Sequence, residues 1–158
     1  MSATAQSAKS MTRPASNPGR FQAMVNNNPL QLTSLLGSLT LRPELGSVPS
    51  HWIWKVIADG KVANRRASIG LFLDHDIEPG EYDIANDPRI RIVYNQSPHS
   101  SSNVIYHSAH FQTGSLILTE ADLDRRKLAG QFSFSVSAVD FEVTEGVFDL
   151  YCSLSASK

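Results

Sequence analysis

The 158-residue sequence has little of several features that identify a class of protein directly. Its single cysteine excludes an internal disulfide, so we expect the fold to depend on packing. Only 18% of the residues are charged and the formal net charge is −1, which argues against a nucleic-acid partner because phosphate binding needs an excess of positive charge. No apolar run approaches the roughly 20 residues of a membrane-spanning helix, and we predict no membrane span.

The sequence also lacks the short motifs of common enzymes and cofactor sites. Neither glycine-rich phosphate-binding pattern is present, and the G-x-S-x-G turn of serine hydrolases and the H-E-x-x-H zinc motif are missing. We therefore predict a protein that is not an enzyme and that uses no cofactor and no metal. The N-terminal stretch has no apolar segment of the kind found in secretory signals, which favours the cytoplasm over the cell envelope.

What the sequence does have is the alternation of apolar and polar residues that β-strands show, most clearly over Phe132–Tyr151. The apolar positions there are even, then odd, then even again, and the parity changes at Ser137–Ala138 and at Glu145–Gly146. A one-residue slip within a straight strand would turn its apolar side chains into water. We therefore predict a three-stranded meander with a turn at each parity change.

This interpretation also predicts which residues face each other across the meander. The turn at Gly146 sets Val143 opposite Phe148 and Phe141 opposite Leu150. It also sets Glu142 opposite Asp149, and two like charges in this position suggest a cation nearby.

The remainder of the chain divides by composition into three segments. Residues 1–29 are rich in Ser, Ala, Asn and Pro and predict a flexible polar tail. Residues 30–50 contain leucines whose spacing fits either a helix or strands. Residues 51–158 carry eight or nine short strand signals, including one that turns at Asp59–Gly60, and predict an all-β domain. The expected architecture is an antiparallel β-sandwich or a calycin-like barrel.

Four motifs in the second half of the chain carry a family resemblance: "PGEYDI", "RIVYN", "GSLILTEADLDRRKLAGQFSFSV" and "VTEGVFDLY". Within them, Gly114–Thr119, Leu128–Phe134 and Gly146–Asp149 match in order the patterns G-x-[ILV]-x-[IL]-T, [IL]-x-G-x-F-x-F and G-x-F-[DE]. Over about residues 67–151 the chain thus resembles a family of uncharacterised bacterial envelope proteins, mostly small lipoproteins. The resemblance implies a calycin-like β-meander and no particular activity. The lipoprotein signal that usually opens these proteins is not found in this sequence.

Two sets of residues are candidates for a functional site. The large amphipathic side chains could line a ligand cavity or its mouth, although in most proteins such residues fill the core; they are Trp52, Trp54, Tyr82, Tyr94 and Tyr106. The second set, Asp74, His75 and Asp76, could hold a cation, but a polar turn before Pro79–Gly80 explains it as well.

Three functions therefore compete at the level of the sequence. The first is a non-enzymatic β-domain that acts through contacts with a protein partner or with copies of itself. The second is a calycin-like binder of a small hydrophobic ligand. The third is a metal-dependent hydrolase built on the Asp74–Asp76 cluster.

Overall fold

The computed structural model describes residues 19–41, 52–97, 104–107, 113–136 and 140–155. These residues form twelve β-strands, and none of them belongs to a helix that could span a membrane. The strands are β1 (Gly19–Val25), β2 (Asn28–Pro29), β3 (Gln31–Leu41), β4 (Trp52–Val62), β5 (Arg65–Asp74), β6 (Gly80–Asp83), β7 (Ile90–Ser97), β8 (Val104–His107), β9 (Thr113–Asp122), β10 (Lys127–Val136), β11 (Phe141–Tyr151) and β12 (Ser153–Ser155).

The strands are arranged in two six-stranded sheets, which confirms the all-β prediction and its sandwich form. The first sheet has the order β2-β1-β11-β10-β9-β6, and the second has the order β12-β3-β4-β5-β7-β8. All pairs are antiparallel except β12 and β3, which are parallel. The barrel alternative is wrong for the described strands because they divide into two separate sheets instead of closing into one.

The core lies between the two sheets and follows from alternation along each strand. On β5 the odd positions from Ala67 to Leu73 point inward, on β7 the even positions from Ile90 to Tyr94 do, and both sets are aliphatic or aromatic. The predicted inward residues Ile90, Ile92 and Tyr94 are accordingly buried. The largest fully buried side chains of this core cluster are Trp54, Tyr94, Phe148, Ile69, Leu71, Leu73, Ile84, Ile92, Leu116, Leu118 and Leu128.

The N-terminal region is more ordered than the sequence analysis predicts. The expected flexible tail over residues 1–29 is wrong for residues 19–29, because β1 pairs with β11 and buries Phe21, Ala23 and Val25. Residues 1–18 lie outside the described part of the chain. Residue 51 is likewise no domain boundary, since β3 pairs with β4 along its whole length.

The leucine-rich segment is a strand and not a helix over Gln31–Leu41. Leu35 and Leu39 point into the core, whereas Leu36 points outward and is 52% exposed. A Cβ at Gly37 would lie 2.5 Å from Cδ1 of Leu150, so glycine is the residue that lets β3 approach the first sheet closely. The helical spacing of the leucines does not set the conformation of this segment, because its pairing with β4 and β12 makes it a strand.

The predicted turn at Glu145–Gly146 is wrong. Strand β11 runs without interruption from Phe141 to Tyr151, and its pairing with β10 and β1 shifts by one residue at this point. Glu145 takes a positive φ of 53°, and the extra residue forms a β-bulge. The bulge, not a turn, changes the parity, so Val143 and Phe148 both reach the core from one strand.

The parity change near Ser137–Ala138 does accompany a reversal of the chain, although residues 137–139 lie outside the described ranges. Strands β10 and β11 form a hairpin in which Val136 pairs with Phe141 and Phe134 pairs with Val143. Because β11 does not fold back on itself, the expected partners of Val143, Phe141 and Glu142 within the meander are wrong.

The turn expected at Asp59–Gly60 lies four residues further along the chain. Strand β4 continues through Gly60, where a Cβ would collide with the carbonyl oxygen of Gln31 on β3. The reversal falls at Ala63–Asn64, whose φ values of 49° and 69° are those of a type I′ hairpin turn. Gly60 therefore allows β4 to pack closely against β3 and is not part of the turn.

Candidate functional site

The aromatic residues predicted to bind a ligand do not line one common cleft in the described part of the chain. Trp54 and Tyr94 are fully buried between the sheets. The Tyr94 hydroxyl donates to Oε1 of Gln96 at 2.6 Å, and its ring lies 4.8 Å from the ring of Phe141. The indole N–H of Trp54 is buried without an acceptor among the described residues. These two residues occupy core positions, and their role in ligand binding stays a prediction.

The other three aromatic candidates lie apart from this pair. Trp52 and Tyr82 are half-buried at the margin of the core. The Tyr82 hydroxyl donates to the carbonyl oxygen of Glu78, and the guanidinium of Arg89 lies 5.2 Å from the centre of its ring. Tyr106 is on β8 opposite Tyr94, and its side chain lies outside what the structure describes.

The Asp74–His75–Asp76 cluster forms the turn that follows β5. Its candidate ligand atoms all lie within 4.8 Å of one another. The Asp74 carboxylate accepts the backbone N–H of Asp76 at 3.2 Å, and the Asp74 carbonyl accepts the N–H of Ile77 at 3.1 Å. The His75 ring nitrogen lies 3.4 Å from the same carboxylate. The predicted alternative of a polar turn accounts for these contacts.

Cys152 links the two sheets, since Tyr151 ends β11 in the first sheet and Ser153 begins β12 in the second. Burial raises the pKa of its thiol to about 12, and the nearby Arg126 lowers it only in part. The thiol is therefore protonated at neutral pH and lacks the thiolate form that a nucleophile needs.

The most unusual surface is the outer face of the second sheet, the face that points away from the first sheet. One row of cross-strand partners on this face is apolar across four neighbouring strands. Leu36 on β3 pairs with Ile57 on β4, Ile57 pairs with Gly70 on β5, and Gly70 pairs with Val93 on β7. We call these four residues the apolar row.

The apolar row is continuous because neighbouring side chains close over its glycine. A Cβ at Gly70 would lie 3.1 Å from Cε2 of Phe72 and 3.3 Å from Cδ1 of Ile57. Phe72 and Ile57 thus meet above Gly70 and cover its backbone. Ile57, Phe72 and Val93 are half-buried, and Leu36 is the most exposed of these four residues.

Charged and polar residues flank the apolar row on both sides. On one side, Lys55 and Arg91 lie in the row that also contains Phe72. In the next row along the strands, Thr40 and Ile53 are buried, so this part of the face is not accessible to solvent. On the other side the partners Ser34, Asp59, Ser68 and Asn95 form a polar row.

The polar row borders a cleft of about 380 Å³. Asp59 accepts a hydrogen bond from the Ser34 hydroxyl at 3.3 Å, while Oδ1 of Asn95 is buried and has no donor among the described residues. An unsatisfied buried acceptor costs about 1–3 kcal/mol. The complete lining is Thr33, Ser34, Asp59, Gly60, Arg66, Ala67, Ser68, Asn95 and Ser97.

Sequence reasoning missed this face, although a signal was present. In β4 and β5 the positions between inward-facing residues should be polar on a solvated sheet. Ile57 and Phe72 break that rule. The prediction of a turn at Asp59–Gly60 concealed the register that brings Ile57 beside Leu36.

Comparison of the chain with protein-family models, with curated proteins and with solved structures finds no match. The resemblance to bacterial envelope proteins therefore stays a prediction that rests on its sequence motifs.

Proposed function

We propose that the protein is a non-enzymatic β-sandwich domain that acts through protein contacts and that it associates with copies of itself. The observation that carries this proposal is the apolar row on the outer face of the second sheet. Leu36 in this row is 52% exposed, and its in-register neighbours Ile57 and Val93 are apolar as well. A solvated face would place polar residues at these positions.

The energetic argument for a partner rests on the apolar surface of the outer face that remains exposed to solvent. Burying a large aliphatic side chain completely stabilises by about 1.5–3 kcal/mol, and a half-buried one retains part of that gain for a partner. The apolar side chains of Leu36, Ile57, Phe72 and Val93 can thus together supply a few kcal/mol. Association itself costs at least about 4 kcal/mol, so the contact depends on the whole face and is expected to be weak.

The edges of the sheets favour contact through a face over strand addition. The terminal strands of the first sheet, β2 and β6, have two and four residues, and those of the second sheet, β12 and β8, have three and four. Short edge strands offer few unpaired backbone groups to an incoming strand. The outer face is the larger surface available for a partner.

The alternative functions have less support. A binder of a hydrophobic ligand needs space in the interior, where Trp54 and Tyr94 are fully buried side chains. A metal-dependent hydrolase would use Asp74 and His75, whose contacts are those of a turn. Both alternatives are weaker proposals for this reason.

A pair of matched substitutions tests the proposal. Ile57 lies in the apolar row, whereas Ile117, which is 40% exposed, lies on the outer face of the first sheet. We expect light scattering and native mass spectrometry of the 17.3 kDa chain to give a concentration-dependent multimer. Ile57→Lys should abolish it, and Ile117→Lys should leave it intact. A wild-type monomer at every concentration would overturn the proposal, as would equal effects of both substitutions.

A further inference from the structure

The polar cleft on the outer face of the second sheet lies between two rows of different chemistry. Its floor is the row in which Ser34, Asp59 and Ser68 are cross-strand partners, and these side chains are short. On one side, Ile57 of the apolar row lies two residues before Asp59 on β4. On the other side, Arg66 lies two residues from Ser68 on β5 and lines the cleft. Short side chains between rows of longer ones leave a groove that runs across the strands.

The basic side of the cleft carries two cations that have no anionic partner in the described part of the chain. Lys61 and Arg66 are directly opposite each other on β4 and β5. Residues in this position have Cβ atoms about 4.5–5.5 Å apart, and like charges there are destabilising. Neither side chain forms an ion pair with a described carboxylate. An anion bound beside them would relieve the repulsion, and the guanidinium offers a fork of N–H donors that matches a carboxylate or a phosphate.

The floor of the cleft supplies hydroxyl groups and an exposed carboxylate. The Ser34 hydroxyl donates to Oδ2 of Asp59 at 3.3 Å, and the Thr33 hydroxyl donates to the Asp59 carbonyl oxygen at 3.1 Å. The register of β3 and β4 shifts at Thr33, which brings both hydroxyls to the same residue. An ionised carboxylate has about four acceptor positions, and Ser34 occupies one of them. Because Asp59 is exposed, the other positions are open to hydroxyl groups of a ligand.

We propose that this cleft binds a sugar that carries an anionic group. The anionic group lies at Arg66 and Lys61, and the sugar hydroxyls donate to Asp59 and accept from Ser68. The volume of about 380 Å³ falls within the roughly 300–1,000 Å³ of small-ligand sites. This inference goes beyond the proposed function, because it concerns a small-molecule site that a single copy of the chain contains.

The charges of the cleft decide between this class of ligand and its competitors. A hydrophobic ligand would leave the hydroxyls and the Asp59 carboxylate without hydrogen bonds, which is costly. A simple anion would offer no donor to Asp59 and would be repelled by it. A zwitterion would satisfy Asp59 and Arg66 but would leave the charge of Lys61 uncompensated. Two cations and one carboxylate therefore favour a ligand that has a net negative charge and hydroxyl groups.

Heteronuclear NMR titration of the wild-type chain tests the ligand class. The probes are glucuronate and glucose phosphorylated on its primary hydroxyl, which supply a carboxylate and a phosphate, and the tighter of the two identifies the anionic group. Hydrogen bonds to the cleft replace hydrogen bonds to water, so we expect a dissociation constant on the order of 1 mM. The amide signals of Ser34, Asp59 and Ser68 should shift saturably.

Three comparison ligands each lack one part of the proposed ligand. Glucose has no charge, acetate has no hydroxyl groups, and glycine is a zwitterion; each should bind at least about tenfold more weakly than the better anionic sugar. Failure of both anionic sugars to bind would overturn the proposal. Binding of any comparison ligand with the same affinity would overturn it as well.

Substitutions at exposed positions, which should leave the fold intact, test the two ends of the site. Arg66→Gln removes one cation and should weaken binding of the anionic sugar by about tenfold or more. Asp59→Asn removes both the acceptor of the sugar hydroxyls and the charge that repels a simple anion, so it should reduce the preference for the sugar over acetate. Arg20→Gln on β1 of the other sheet is the matched control and should leave binding unchanged. Unaltered affinity in Arg66→Gln, an equal loss in Arg20→Gln or an unchanged preference in Asp59→Asn would contradict the assignment.

Leu36→Ser separates this proposal from the proposed function. Leu36 is the most exposed side chain of the apolar row and does not line the cleft. Its replacement should therefore reduce self-association and leave sugar binding intact. A wild-type chain that binds the sugar but never associates supports this inference and overturns the proposed function. Loss of sugar binding in Leu36→Ser would show that the site needs a second copy, and the single-chain site would be wrong.

Discussion

The ring of Phe132 lies directly over Gly146, its cross-strand partner in β11. A Cβ at Gly146 would lie 2.5 Å from Cε1 and 2.6 Å from Cζ of that ring. The ring is itself held by Phe21 and Phe148, whose centroids lie 5.7 Å and 6.2 Å away. The glycine of the bulge thus provides the space in which this aromatic cluster packs.

We expect Gly146→Ala to destabilise the protein by about 1–3 kcal/mol, because the added methyl group forces the Phe132 ring out of a packed position. Urea unfolding measures the change. The same substitution in a Phe132→Leu background should cost less by at least about 0.5 kcal/mol, since the two residues are in contact. Equal costs in both backgrounds would contradict the proposed crowding.

Phe141 is a core residue of the C-terminal hairpin whose loss should be damaging. It is 7% exposed, and its ring lies 4.8 Å from Tyr94 of the opposite sheet and 6.3 Å from Phe134. Phe141→Ala should lower the free energy of unfolding by about 3–5 kcal/mol through loss of packing and creation of a cavity.

Ser135→Ala is the control for this substitution. Its hydroxyl is hydrogen-bonded to the exposed Thr113 hydroxyl, at 2.9 Å, and the change should stay within about 0.5 kcal/mol. Chemical denaturation of both variants gives the comparison. Comparable losses for the two would contradict the placement of Phe141 at the contact between the sheets.

The Asp87–Arg89 pair before β7 should make stability depend on pH. The Asp87 carboxylate accepts the Arg89 Nε–H at 3.1 Å, a terminal guanidinium N–H at 2.8 Å and the Arg89 backbone N–H at 2.9 Å. The side-chain hydrogen bonds of Arg89, which outweigh the opposing effect of burial, lower the pKa of Asp87 below its ordinary value of 3.8. A lowered pKa stabilises the folded state above the ordinary value, and that stabilisation is lost as the pH falls through the folded pKa.

Asp87→Asn should therefore destabilise the protein by about 1 kcal/mol near neutral pH. The difference from the wild type should shrink as the pH falls below the ordinary carboxyl pKa. Urea unfolding across a pH series measures it, with Asp124→Asn on an exposed turn as the control. A difference that stays constant down to the lowest pH would rule out the carboxylate as its source.

Alternation along the sequence predicted the fold class and the inward residues of several strands. Ile90, Ile92 and Phe134 are buried as their parity indicates. Parity could not distinguish a turn from a bulge at Glu145, because both change the face and both favour a residue of positive φ beside glycine. Only the pairing of β11 with β1 decides it, and that contact is remote in sequence.

The candidate site was less accessible to prediction than the fold. Strand β1 carries a readable alternation, since Phe21, Ala23 and Val25 all point inward, but the polar residues before it concealed this signal. The apolar row depends on the register of four strands. Leu36 and Ile57 are distant in the sequence, and only strand pairing places them side by side.

The pairing of β1 with β11 has a consequence for how the chain reaches its native state. The earliest described strand and one of the last are neighbours in the first sheet, with Gly19 opposite Leu150. Closing so long a loop is entropically costly, and folds dominated by such contacts form in milliseconds to seconds, not microseconds. During synthesis β1 leaves the ribosome long before its partner exists. Its apolar side therefore stays exposed until β11 has been made, and chaperone binding in that interval should concentrate on this strand.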